Sequence, residues 1–372
     1  MLKQCTANLS CFLHFASCIL LLASCTMGRL IIYNFSDVKD YKIFPTRELK
    51  ASLNPFIFYA KTNQSMPDSL MHKGKKVNLT KFLEDESTLA FLIIRNDTLL
   101  YETYFRDKDK NLVVPSFSMA KSFTSALIGC AIEDGLIKSV EEPITNYIPE
   151  LKKNGFDKVK IKHVLQMTTG LKFNENYINP FSDVGAFYYG LNLRKHVTKL
   201  KLAYEPGTKF EYISGNTEVL GLVLERALKN KTITQYLQEK IWTPLAMEFD
   251  ATWSIDQKKN GIEKTFCCLN ARARDFAKFG KLFLNKGNYN GKQVLPASWV
   301  EQCTKADLTE GGAPDYKYQW WLEKDGSYQA QGYLGQHIYI CPKKNIVIVK
   351  LSKWRDQHLN WAGYFKQITD QL

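Results

Sequence analysis

The chain has 372 residues, 45% of them hydrophobic and 13% aromatic, which is ample for a large core. Its formal net charge is +13, but the lysines are scattered, with Lys73, Lys75 and Lys76 the densest cluster. No basic stripe with interleaved aromatics appears, so the charge reads as a solvated surface and argues against nucleic acid as a partner.

The chain opens with Lys3 and a largely apolar stretch over residues 11–23, interrupted by His14. This is short for a membrane span and suits the core of a signal peptide. It ends in Leu22-Ala23-Ser24-Cys25, which resembles the bacterial lipobox. That resemblance implies a signal over residues 1–24 and a lipid on Cys25. It also implies anchorage in a bacterial cell envelope, facing the periplasm or exterior. Cys25→Ser is then expected to abolish lipid incorporation and release the protein from membranes; persistent lipid labelling of that variant would reject the lipobox. Of nine cysteines, Cys130, Cys267, Cys268, Cys303 and Cys341 lie beyond this leader. Their odd number and the lack of C-x-x-C spacing argue against a zinc site or a disulfide framework.

Residues 25–84 read as an extended N-terminal arm, and residues 85–372 as the main domain. The run Leu89-Ala90-Phe91-Leu92-Ile93-Ile94 predicts a strand. Asn96-Asp97 predicts a turn, and Leu99 to Phe105 a second strand. From Ser118, apolar residues recur at spacings of three and four through Met119, Phe123, Ala126, Leu127 and Cys130, which predicts a helix stopped by Asp134-Gly135. Ser116 or Ser118 is placed to cap it. Helices follow at about 160–168, 216–229, 232–240, 271–285 and 296–304. Strands return at 316–322, 328–332, 337–341 and 346–351, and a closing helix covers about 358–370. Strands at both ends with helices between predict an α/β (α+β) fold. Its central antiparallel sheet would come from N- and C-terminal segments, with a helical region inserted.

Chemistry concentrates in three stretches. In Ser118-Met119-Ala120-Lys121 a hydroxyl and an amine share one face of a helical turn. Burial of such a lysine lowers its pKa and makes it a base for the serine. Ser36-Asp37-Val38-Lys39 has the same spacing but no helix N-terminus to favour an oxyanion. The second stretch, Tyr212-Ile213-Ser214, precedes a helix and sets a phenol where it can relay a proton. The third, Gly332-Tyr333-Leu334-Gly335-Gln336, enters a strand with glycines that permit close backbone approach. A G-x-S-x-G motif and an H-E-x-x-H motif are both missing, which argues against Ser-His-Asp and zinc hydrolases.

In this order the three stretches resemble the serine β-lactamase and penicillin-binding superfamily, whose nucleophile lies in S-x-x-K. The resemblance covers about residues 85–360. It leans toward the class C-like branch of esterases and 6-aminohexanoate-dimer hydrolases, with Tyr318-Gln319-Trp320-Trp321 and Gly335-Gln336 in support. It implies a β-lactamase/transpeptidase-like fold and a cofactor-free serine hydrolase working through an acyl-enzyme. Ser118 is then the acylated nucleophile, Lys121 its base and Tyr212 the relay to the leaving group. The backbone N–H groups of Ser118 and Tyr333 form the oxyanion hole. Ser214, Asp183, Tyr188, Gly335 and Gln336 are the expected substrate contacts, with Asp183 placed to meet a substrate amine. No Lys-Thr-Gly occupies the third stretch and no Ser-Asp-Asn appears. This turns the expected substrate away from β-lactams and cell-wall peptides, toward a small ester or linear amide.

Overall fold

The computed structural model describes residues 26–372, apart from 34, 65, 180, 310 and 355–358. The expected leader and Cys25 lie outside the described residues. The segment expected as an arm is woven into the body. It contributes α1 (Thr26–Tyr33), β1 (Thr46–Leu49) and β2 (Tyr59–Ala60). Then come β3 (Thr88–Arg95), β4 (Thr98–Tyr104), β5 (Val114–Pro115) and α2 (Ala120–Glu133). The middle holds α3 (Asp183–Tyr189), α4 (Ser214–Leu228), β6 (Ala251–Ser254), β7 (Leu269–Ala271) and α5 (Ala273–Leu284). The end holds β8 (Tyr316–Lys317), β9 (Trp320–Leu322), β10 (Tyr328–Gly332), β11 (Gln336–Cys341), β12 (Ile346–Ser352) and α6 (Trp361–Asp370).

Eight strands form the main sheet in the order β8-β9-β10-β11-β12-β3-β4-β2. The N-terminal hairpin β3–β4 therefore lies beside the C-terminal strands, and β12 pairs antiparallel with β3. The sheet departs from the expected all-antiparallel pattern at one edge, where β2 runs parallel to β4. That strand is two residues long and comes from the arm, so no local pattern announces it.

The apolar runs are continuous because the sheet is covered on both faces. On β3, Ala90, Leu92 and Ile94 enter one cluster, while Phe91 and Ile93 enter another. β12 divides likewise, with Val347, Val349 and Leu351 on the first side and Ile346 and Ile348 on the second. Trp361, Phe365 and Ile368 of α6 cover the second face. The first face receives α2 and α5, where Phe123 stacks on Phe279 with ring centroids 3.6 Å apart. Cys130 is buried in that core.

The small sheet β1-β6-β7-β5 carries the chain into α2. β5 is an edge strand, which accommodates Pro115. Ser116 clamps the exit: its N–H donates to the Leu269 carbonyl at 2.7 Å, and its Oγ accepts from Leu269 N–H at 3.1 Å. A 3-10 turn over Phe117–Met119 then leads into α2 without any side-chain cap, so neither Ser116 nor Ser118 caps the helix as expected. Phe117 sits at φ +44°, a left-handed conformation that costs on the order of 1 kcal/mol and is held by this clamp.

Candidate active site

Ser118, half-buried, opens on a cleft. The cleft is also lined by Phe117, Tyr177, Ser214, Phe266 and Tyr333, and by Ser36 from the N-terminal segment. One turn along, Lys121 is 1% exposed. Its Nζ donates to Ser214 Oγ at 3.1 Å and to the Phe266 carbonyl at 2.9 Å. Burial pulls the Lys121 amine down to about 8, against the opposing pull of the Glu175 and Glu218 carboxylates. An amine poised there is a base near neutral pH. The Lys121 Nζ also lies 5.4 Å from the ring centre of Tyr212, which packs between Tyr316 and Trp321.

Glu175, which no motif in the sequence singles out, joins this cluster. Its carboxylate accepts from Ser214 Oγ at 2.5 Å, Ser214 N–H at 2.9 Å and Tyr177 Oη at 2.6 Å. An amine–hydroxyl–carboxylate chain thus runs from Lys121 through Ser214 to Glu175. Asp183, the acid expected to meet a substrate amine, lies further along the chain at the start of α3. That residue is exposed, accepts from Asn174 N–H at 2.7 Å and does not line the cleft. Spacing alone does not tell these two acids apart. Glu175→Gln is expected to weaken the hold on Ser214 and to remove a charge that raises the Lys121 pKa. Loss of a charge-assisted hydrogen bond worth about 1.5–3 kcal/mol predicts a tenfold to hundredfold fall in kcat/KM. The acid limb of the pH–rate profile should move to lower pH; a limb unmoved beside that fall would show that Glu175 acts only on the fold.

The third stretch delivers one residue to the cleft and withholds two. Gly332 approaches the segment before Ser118 so closely that a Cβ there would lie 2.2 Å from the Ser116 carbonyl oxygen. This sets Tyr333 beside Phe117, at 5.8 Å edge to face, and stacked on Tyr177 at 5.2 Å. Gly335 and Gln336 do not line the cleft, contrary to expectation. A bulge between Leu351 and Ser352 takes Ser352 out of the regular β12–β3 register. Gln336 serves that residue instead, donating to its carbonyl at 2.6 Å and accepting from its N–H at 3.1 Å. Tyr188 does line the cleft, and its hydroxyl donates to buried Asp40 at 2.9 Å. Burial raises the Asp40 carboxyl to about 6.

Ser36 of the duplicate motif shares the cleft wall with Ser118. Lys39, the lysine of that motif, is exposed, whereas Lys121 is buried. Cys267, another wall residue, is joined to Cys268 by a disulfide across one peptide bond, with Cα atoms 3.7 Å apart. The expectation from spacing concerned a disulfide framework, and a single pair between adjacent residues lies outside it.

A family model described as Beta-lactamase matches residues 78–363. The 6-aminohexanoate-dimer hydrolase of Paenarthrobacter ureafaciens is 30% identical over 314 residues, covering 77% of this chain and 78% of that protein. A solved structure titled putative 6-aminohexanoate-dimer hydrolase, from Bacillus anthracis, superposes with a TM-score of 0.81 at 27% identity. It covers 90% of this chain and 93% of its own. A penicillin-binding protein from Bacillus halodurans shares the fold at a TM-score of 0.62 and 16% identity, over 78% of this chain and 99% of its own.

Proposed function

The chain belongs to the Beta-lactamase family, whose members include hydrolases, and within it we propose a serine hydrolase of small esters or linear amides. The observation that carries this reading is Lys121: buried, held near pKa 8, one helical turn from a serine that opens on a cleft.

Neutral Lys121 takes the Ser118 hydroxyl proton as Oγ attacks the acyl carbon. The developing oxyanion is met by the N–H groups of Ser118 and Tyr333, at the start of α2 and the end of β10. Tyr212, whose ring neighbours the same amine, passes a proton to the leaving alcohol or amine. The bond to the leaving group breaks and the acyl group stays on Ser118. Protonated Lys121 returns its proton to the Tyr212 phenolate and, neutral again, takes a proton from water as the water attacks the acyl carbon. That proton passes to Ser118 Oγ as the acyl–oxygen bond breaks, which releases the acid and regenerates the serine. Glu175 positions Ser214, which in turn positions Lys121. The relative from Paenarthrobacter ureafaciens, named for a linear amide dimer, supports a linear amide as the bond cleaved.

A fluorophosphonate probe and a substrate panel test the proposal. Wild-type protein is expected to take the probe and to hydrolyse nitrophenyl esters or linear amides faster than nitrocefin. Absence of labelling under conditions that label a known family member would overturn it, and preference for nitrocefin would reassign the substrate.

A further inference from the structure

We infer that the acyl group this cleft accepts is uncharged along its length, an aliphatic or aromatic chain without an ammonium or carboxylate terminus. The inference rests on the hydrolase reading above and deepens it.

The wall carries it. Among the described residues that line the cleft, none has a charged side chain. Its apolar part comes from Phe117, Ile178, Val184 and Tyr189, and its polar part is limited to hydroxyls, the Asn179 amide and the disulfide sulfur of Cys267. The ionisable groups nearest the site are already committed, including Arg29 behind Tyr189, which donates to the Ile43 carbonyl at 3.2 Å. Glu175 accepts from Ser214 and Tyr177. Asp40, behind the wall, accepts from the Tyr188 hydroxyl and from Asp37 N–H. Asp183 is turned to Asn174 N–H at the surface. Lys121 donates to Ser214 and the Phe266 carbonyl. A charged tail entering this cleft would shed water and meet no counter-ion, the situation in which buried charge is most costly. A neutral chain of the same length displaces water from apolar and aromatic surface, which is favourable.

Three nitrophenyl esters of matched length test it: the hexanoate, the 6-aminohexanoate with its ammonium tail, and the adipate half-ester with its carboxylate tail. The charge sits far enough from the carbonyl to leave the intrinsic chemistry alike. The hexanoate is expected to exceed both charged esters in kcat/KM by at least about tenfold. Asn179→Asp adds one negative charge to the wall. It keeps the side-chain oxygen that accepts from Phe181 N–H at 2.9 Å. This variant should raise the ammonium ester relative to the hexanoate by about threefold or more and depress the carboxylate ester. A wild-type preference for either charged ester overturns the inference, as does an Asn179→Asp variant whose ratios do not move. A fluorophosphonate label on Ser118 separates the two levels. Labelled protein that prefers a charged ester refutes the neutral acyl group alone; protein that takes no label and cleaves none of the three refutes the hydrolase reading and this inference with it.

Discussion

Ser118→Ala is expected to abolish fluorophosphonate labelling and to lower kcat by about 10³- to 10⁶-fold, the range seen when the nucleophile of an acyl-transfer site is removed. The residual rate would come from the oxyanion donors and from binding, which the substitution leaves in place. Folding should be little affected. Ser118 is half-buried and lies in the 3-10 turn ahead of α2, so the change should cost no more than about 1 kcal/mol. The cleft makes this a sharp test, because Ser36 and Ser214 line it as well. Peptide mapping of the labelled wild-type protein is expected to place the probe on Ser118. A label on Ser36 or Ser214, or a Ser118→Ala variant that labels as well as wild type, would move the nucleophile elsewhere.

Lys121→Met should show two effects with opposite signs. Activity should fall by a factor comparable to that of Ser118→Ala, since the base is gone while its volume is retained. Stability should respond according to pH. In the unfolded chain the amine titrates near its ordinary value of 10.5, and in the folded protein burial brings it to about 8. Between those values the unfolded state binds more protons, so native stability rises with pH. Below about 8 the penalty of burying the charge is fully present, and a gap of this size corresponds to about 3 kcal/mol. Methionine carries no such penalty. Against this stands the loss of the bonds to Ser214 and Phe266, which is the same at every pH. The stability of Lys121→Met relative to wild type is therefore expected to be higher at pH 7 than at pH 10.5, by up to about 3 kcal/mol, in matched denaturant titrations. A difference that stays constant across that range would mean that the lysine is not desolvated. The same titration predicts that wild-type kcat/KM rises with pH through about 8 as neutral Lys121 accumulates.

Much of the frame is legible without coordinates. The run Leu89 to Ile94 announces a strand because six consecutive apolar residues suit a strand buried on both faces. The helix after Ser118 follows from apolar spacing and ends where Asp134-Gly135 ends it, with Gly135 at φ +71°. Less was legible around the cleft. Ser36 was set aside as a bystander, and it is a wall residue. Asp183 is the acid the sequence points to and nothing local signals Glu175, while Gln336, expected at the substrate, is held at a β-bulge. The Glu175–Ser214 contact spans 39 residues and the Gln336–Ser352 contact 16, and no local spacing reports either.

The division has one physical cause. Periodicity, turn chemistry and the S-x-x-K spacing are properties of neighbours, and these determined the strands, the helix after Ser118 and the pairing of a hydroxyl with an amine. Desolvation and hydrogen-bond partnership are properties of whatever is packed alongside. Lys121 is bonded to Ser214, 93 residues away, and to Phe266, 145 residues away. Two S-x-x-K turns are alike as sequence. The tertiary structure alone buried one lysine and left the other in water, and only burial turns an ammonium into a base.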